Sequence, residues 1–444
     1  MDTNKMQQSI KITPAPKNRV EEYFASNRYL QKYEMHLGKV YSERKYNDPA
    51  SSLCLPHDEE LLSAVGAAVD AVVSPDLRWV VVVGIGGSNL GTQAVYEALN
   101  GVEANLKDSV TPKLFFLDTN SPLRVKALFE LLDRDIVSIE QVVVNVISKS
   151  GTTTETAANF EVIFQYLQNR FGKDAKKQFV ITTDIESKLW IAAKAKGLLL
   201  LPVPKEVGGR FSVFSAVGLF PLMLAGVYIE DFRAGAVEML KSLGSYNLKQ
   251  NLAMQSALEI YTNYLEDRET YVNFFFNPEL ESLGKWYRQL MAESLGKKDN
   301  IHYAEVRTGI TPVVSIGSVD LHSMAQLYFG GPNDKFTSII YAQDNSLDVK
   351  VPEKLELDLV DSLKGKSFSN ITEAIIAGLD LAYANNNIPC NRIEIAEISA
   401  KTLGAYMQMR MLEIMYMGHF MNIDAFNQPS VEDYKNETRK FLEK

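Results

Sequence analysis

The sequence predicts an α/β protein of two tandem units, each a three-layer αβα sandwich around a mainly parallel sheet. Three observations predict it. Short apolar runs rich in Val, Ile, Leu and Phe follow one another at 79–85, 113–118, 141–147, 178–182 and 198–202. They are continuous rather than alternating, as strands covered on both faces are. Helical patterns at 90–99, 122–132 and 155–171 separate the earlier runs, and strand–helix–strand units of this size imply parallel strands with right-handed crossovers. The same texture returns later, with apolar runs at 271–276, 313–316, 337–341 and 392–396.

In chain order, residues 1–75 read as a mainly helical, polar segment with a turn at Asn47-Asp48-Pro49. Residues 76–204 hold the first set of strands and form the first domain. A long helical stretch from about 212 to 267 opens the second domain, 205–400, which interleaves its strands with helices at 281–296, 321–329 and 369–385. A C-terminal helical segment, 401–444, carries helices at 400–417 and 430–443. The charged stretch 342–365 has no strand period and reads as an insertion or a surface loop.

Composition bounds the function. The chain is 46% hydrophobic and 23% charged, ordinary for a soluble globular protein. Its net charge of −9 lacks the basic face that nucleic-acid binding needs. A small anion is a different matter, because charges beyond roughly 8 Å are largely screened and local groups decide. Two cysteines, Cys54 and Cys390, exclude a disulfide framework or a Cys-based metal cage and fit a reducing, cytoplasmic setting. The N-terminus lacks the apolar stretch of a secretory signal, and the apolar runs are too short or too broken to cross a membrane. The five histidines, His36, His57, His302, His322 and His419, form no metal-ligand spacing, and no G-x-S-x-G elbow occurs.

Two loops end strands where open α/β sheets bind ligands. GIGGSNLG at 84–91 follows the first parallel strand and opens a helix, so backbone N–H groups and a helix N-terminus face any ligand. It departs from G-x-G-x-x-G at Asn89, and Asp118 ends the next strand, where a ribose-binding acid sits in dinucleotide folds. The loop alone leaves nucleotide, another phosphate and a bare turn open. SKSGTTTET at 148–156 gathers six hydroxyl residues, with Ser148, Lys149, Ser150 and Thr153 among the polar groups. Thr152 and Glu155 fit a capping box; a cradle for a phosphate dianion is the competing reading, since hydroxyls, amides and a helix terminus hold one without a large net charge. The Walker pattern is absent, which disfavours ATP.

Three further stretches carry candidate chemistry. EVGGRFS at 206–212 sets Arg210 beside paired glycines, either to reach a ligand oxygen or as an ordinary turn. In QLMAESLGK at 289–297, Gln289 and Glu293 share one helix face. Burial on that face would raise the carboxyl's pKa and make Glu293 a base; on spacing alone, a surface pair with Lys297 is the favoured explanation. In FNQPSVEDYK at 426–435, Pro429 and Glu432 suffice as helix-start signals.

Taken together and in order, GIGGSNLG, SKSGTTTET, EVGGRFS, QLMAESLGK, DLHSMAQ (320–326) and FNQPSVEDYK resemble the glucose-6-phosphate isomerase (phosphoglucose isomerase) family, in its shorter bacterial form. Ser430 and Asn89 depart from the commonest family residues at positions that carry no chemistry. The resemblance implies two flavodoxin-like SIS (sugar-isomerase) domains, with N-terminal helices and a C-terminal tail packing on the second. It implies reversible conversion of glucose 6-phosphate to fructose 6-phosphate, in glycolysis and gluconeogenesis, with no cofactor and no metal. Ser88, Ser148, Lys149, Ser150 and Thr153 match phosphate ligands, with Gly87 and Gly209 alongside. Gln289 and Gln428 match sugar-hydroxyl ligands, Glu293 the base, Arg210 the oxyanion stabiliser, and His322 and Lys435 the ring-opening pair. It also implies a homodimer in which His322 serves the partner's site. Three alternatives stay open: an isomerase that also accepts mannose 6-phosphate, disfavoured by Gln289; a sugar-phosphate-binding regulator; and a dehydrogenase.

Overall fold

β1 (Ile10–Thr13) stands apart near the start of the chain. β2 (Trp79–Val83), β3 (Lys113–Leu117), β4 (Val142–Ile147), β5 (Phe179–Asp184) and β6 (Leu199–Val203) follow in the first half. β7 (Thr270–Phe275), β8 (Lys297–Asp299), β9 (Glu305–Thr308), β10 (Thr311–Ile316), β11 (Lys335–Ala342) and β12 (Cys390–Ile395) lie in the second. The structure is a computed structural model and describes residues 9–443 apart from 17, 110–111, 344–346 and 358.

The first sheet has the order β3-β2-β4-β5-β6 with every neighbouring pair parallel. This is the flavodoxin-like order, which reverses direction between its first and third strands. Here that switch point lies between β2 and β4, the two strands that end in the glycine loop and the hydroxyl loop. The second sheet, β1-β12-β11-β7-β10, repeats the order in its four parallel strands. Its fifth member, β1, adds antiparallel to β12.

The burial pattern explains the continuous apolar runs. Val80 and Val82 of β2 join Tyr271 and Phe275 of β7 in one large core running between the two sheets. Trp79, Val81 and Val83 face a second cluster on the far side of the first sheet. Val272 and Phe274 do the same beyond the second. The central strands of both sheets therefore bury both faces between helical layers, and the chain is a pair of αβα sandwiches.

Four details differ from the sequence expectation. The N-terminal segment is not helical throughout, because IKIT forms β1; an edge strand this short shows no period and is defined by its pairing with β12. Residues 1–8 of that segment lie outside the described residues. β8 and β9 form a small antiparallel hairpin that no apolar pattern announced. The helical stretch 212–267 resolves into helices Ala216–Leu224, Ile229–Leu240 and Leu252–Tyr264. The C-terminal segment is not a tail as a whole: helix Ala400–Phe420 is buried almost all round, as a helix apolar on every side must be. Only helix Val431–Leu442 lies on the surface, with no residue buried. Among the described residues of 342–365, beyond the end of β11 at Ala342, the chain forms a surface loop with Leu347 and Leu359 exposed; 344–346 and 358 of that stretch lie outside them.

A buried polar network fixes the helix that matters most for the site. Arg410 is fully buried and pairs with Glu413 at 2.6 Å. Glu413 also accepts from Tyr287 Oη at 2.5 Å and from Ser256, and Arg410 reaches Tyr271 Oη at 3.3 Å. These bonds tie helix Ala400–Phe420 to helices Glu281–Leu295 and Leu252–Tyr264 and to β7. Such a buried network favours one arrangement of its elements, although Arg410 Nη2 has no partner among the described residues.

Candidate functional site

The glycine loop leaves β2 and makes a tight turn over Gly86–Ser88 before helix Leu90–Asn100. The turn is pressed against the second stretch of paired glycines. A Cβ on Gly87 would lie 2.2 Å from the carbonyl carbon of Gly209 and 2.6 Å from the Arg210 nitrogen. A Cβ on Gly86, whose φ is +62°, would lie 2.8 Å from Gln289 Nε2. Only bare backbone lets these three segments meet. Ser88 is half-buried in the same turn. Asn89 is buried and donates to Asp118 at 3.4 Å, and Asp118 pairs with Arg124 at 3.3 Å, so the acid considered for a ribose is already engaged.

At the end of β4 the hydroxyls do not make the capping box. Thr153 is the N-cap of helix Thr154–Phe171 and its side chain accepts no capping bond. Instead Thr153 Oγ1 and Ser148 Oγ pair at 3.0 Å. Ser150 is exposed, its Oγ accepting from the Thr152 N–H at 3.3 Å. Lys149 Nζ donates to the Lys205 carbonyl at 2.7 Å, five residues before Arg210. Burial lowers the pKa of this ammonium; Asp184 and Glu206 oppose the shift and Arg210 adds to it. The hydroxyl loop and Arg210 therefore share one electrostatic neighbourhood, and hydroxyls, an ammonium and a helix N-terminus together suit an oxyanion.

Arg210 is the hub. It is 2% exposed and uses its whole fork. Nε donates to Ser294 Oγ at 2.7 Å, Nη1 to Gln428 Oε1 at 2.6 Å, and Nη2 to the carbonyls of Ala425 at 2.7 Å and Asn427 at 3.1 Å. Nη1 also faces Glu293 Oε2 at 3.5 Å. Burial pulls its pKa down and the Glu293 charge pulls it back up, yet a guanidinium stays charged in proteins.

Glu293 sits on helix Glu281–Leu295. Its side chain is 30% exposed, and its other oxygen accepts from Gln289 Nε2 at 3.2 Å. Two sequence readings are corrected here. The carboxylate is not sunk in an apolar wall; a guanidinium and an amide flank it. Nor does it pair with Lys297. The chain leaves the helix at Gly296, so Lys297 Nζ turns back onto the Glu293 backbone carbonyl at 2.6 Å and the Asn427 carbonyl at 2.8 Å.

The fold thus brings together Gly87, Gly209, Arg210, Gln289, Glu293 and Gln428, with Ser148, Lys149 and Thr153 on the adjoining loop. His322 and Lys435 are not brought to this cluster. His322 lies exposed in the turn after β10, and Lys435 Nζ pairs with Glu432 on the surface helix at 2.8 Å. Sequence reasoning missed Ser294 and the carbonyls of Ala425 and Asn427, which hold Arg210. No short pattern encodes a carbonyl's direction. Among the described residues, no group of three or more His, Cys, Asp or Glu side chains is placed to hold a metal ion.

The family described as "Phosphoglucose isomerase" matches residues 63–444. The glucose-6-phosphate isomerase of Methanocaldococcus jannaschii is 33% identical over 357 residues, covering 80% of this chain and 82% of that protein. That of Carboxydothermus hydrogenoformans is 33% identical over 424 residues, covering 93% and 89%. Among solved structures, a hypothetical protein from Thermus thermophilus superimposes with a TM-score of 0.84 at 29% identity, covering 97% of this chain and 99% of the other. A glucose-6-phosphate isomerase from Chlamydia trachomatis shares the fold, with a TM-score of 0.75 at 24% identity over 92% and 78%. The chain belongs to the phosphoglucose isomerase family.

Proposed function

We propose that this protein catalyses the reversible aldose–ketose isomerisation of glucose 6-phosphate to fructose 6-phosphate, in glycolysis and gluconeogenesis. One observation carries the reading. A single carboxylate, Glu293, is held between the Gln289 amide and the Arg210 guanidinium, with the glycine turn packed on the Gly209–Arg210 backbone and Lys149 of the hydroxyl loop bonded to the Lys205 carbonyl nearby.

In this proposal the phosphate docks on Ser88, Ser148, Lys149, Ser150 and Thr153, with backbone of Gly87 and Gly209 close by. The dianion replaces the mutual Ser148–Thr153 bond and gives the half-buried Lys149 ammonium a counter-charge. His322, from the partner of a homodimer, and Lys435 move the proton between ring oxygen and anomeric hydroxyl that opens the sugar. Glu293 then removes the C2 proton as the C1 carbonyl π electrons move onto O1. The enediolate charge so formed faces Arg210, a positive charge fixed in advance, and such preorganised charge lowers the barrier. Glu293 returns the proton to C1 while the C2 hydroxyl proton passes to O1, so that C2 becomes the ketone and O1 the C1 hydroxyl. No redox equivalent is gained or lost. Gln289, whose Oε1 has no partner among the described residues, and Gln428 bind sugar hydroxyls. Acid–base steps contribute about 10²–10⁴-fold each, so base, oxyanion partner and ring opener act in concert.

The exposure of His322 away from its own cluster supports service to a second subunit. A cytoplasmic setting belongs to the same reading, supported by two unpaired cysteines. The test is turnover of glucose 6-phosphate to fructose 6-phosphate by the purified protein, beside mannose 6-phosphate as sole substrate. Fructose 6-phosphate from glucose 6-phosphate is expected; none from it, or an equal rate from mannose 6-phosphate, rejects the reading or its specificity.

A further inference from the structure

Lys297 plays no part in the chemistry above, yet it is 7% exposed and its ammonium lies between two peptides of the site. One is the peptide of Glu293 itself, in the last turn of helix Glu281–Leu295, where a cation is favoured by the helix dipole. The other is the carbonyl of Asn427, which Arg210 Nη2 also grips and which immediately precedes Gln428. Gln428 in turn accepts from Arg210 Nη1. A buried ammonium that only needed partners would find them anywhere; this one joins the base-bearing helix to the loop that orients the oxyanion partner.

We propose that Lys297 is a positioning residue, clamping the Glu293 peptide to the Asn427–Gln428 loop and so holding carboxylate, guanidinium and amide in register. The proposal rests on the isomerase reading. It carries a charge dependence, because the neutral amine loses the charge–dipole attraction to both carbonyls. Burial first, and then the Arg210 charge, lower the ammonium's pKa to about 8, while Asp424 and Glu293 oppose the shift. Weakening the clamp lets Gln428 and Arg210 drift, and a misplacement of about 1 Å can cost about 10²-fold in rate.

The experiment measures glucose 6-phosphate turnover from about pH 6 to 10 for wild type, Lys297→Met and Lys297→Arg, per folded active site. Lys297→Met is expected to lower kcat about 10–100-fold with KM within about 3-fold, since Lys297 touches no substrate. The wild-type loss of kcat above pH 8 is expected to vanish in Lys297→Arg, whose guanidinium does not titrate there. A purely structural lysine moves the thermal midpoint but neither kcat per folded site nor that alkaline limb. Wild-type kcat in Lys297→Met, or an unchanged limb in Lys297→Arg, overturns the proposal, and the Arg variant decides alone if the Met variant does not fold. A wild-type protein without turnover rejects the isomerase reading instead.

Discussion

Replacing Gly87 by alanine adds one methyl group at the tightest backbone contact of the site. Gly87 has no left-handed φ, so alanine suffers no intrinsic backbone strain and the effect isolates space. The methyl carbon would stand 2.2 Å from the Gly209 carbonyl carbon, 2.4 Å from its oxygen and 2.6 Å from the Arg210 nitrogen, all main-chain atoms that have no rotamer to yield. Ordinary contact begins at 3.4 Å, so the glycine turn and the 208–210 turn must part by about 1 Å. Arg210 would move with its own peptide, away from Glu293 and Gln428. A displacement of that size costs about 10²-fold in kcat/KM, or about 2.7 kcal/mol of transition-state stabilisation. The control is Gly66→Ala in helix Glu59–Val72, where nothing lies within 4 Å of the new methyl. There alanine should leave kcat/KM unchanged and gain about 0.5–1 kcal/mol of stability. Steady-state kinetics, with circular dichroism to verify the fold, decide the matter. A Gly87→Ala enzyme within about 3-fold of wild type would refute the claim that this contact sets the position of Arg210.

Two further outcomes follow from particular residues. Glu259 is buried, accepts from the Ala15 N–H at 2.6 Å and from Asn391 Nδ2 at 2.7 Å, and burial raises its pKa to about 7. The folded state then holds a proton that the unfolded chain releases, so stability is full below about pH 4.5 and falls as pH rises through about 7, by up to about 3 kcal/mol. Denaturant midpoints at pH 5 and pH 8 should show that decline in wild type and a smaller one in Glu259→Gln; equal declines would assign it elsewhere. For shared sites, inactive Glu293→Ala and His322→Ala chains, unfolded and refolded together, should recover part of the activity in hybrid dimers. No recovery counts against His322 acting across subunits.

How much of this was legible depends on what each residue packs against. β2 and β4 were plain because both their faces are buried, so every position is apolar and nothing interrupts the run. β1 was not, because four residues at an edge, only partly covered, carry no period of their own. Helix Ala400–Phe420 was visible as a helix but not as the centre of the core; Arg410 and Glu413 look like surface residues until Tyr271, Tyr287 and Ser256 are seen around them. In the site, glycines and hydroxyls at strand ends marked the two loops that the fold sets beside Arg210. The role of Lys297 was hidden by its spacing: four residues from Glu293, it reads as a surface ion pair, and only the turn at Gly296 sends the ammonium to a carbonyl instead. Glu293 itself was ambiguous from its helix face alone. Its partners come from residues 83 positions earlier and four positions before it, and the longer separation leaves no local trace.

The central claim is that Glu293 alone carries the proton between C2 and C1. Glu293→Gln keeps the shape and the neighbouring Gln289 contact but cannot accept that proton. In deuterated water, wild type should wash deuterium into C2 of glucose 6-phosphate while Glu293→Gln should not, although the variant still binds the sugar phosphate. Deuterium incorporation by Glu293→Gln at the wild-type rate would contradict the account.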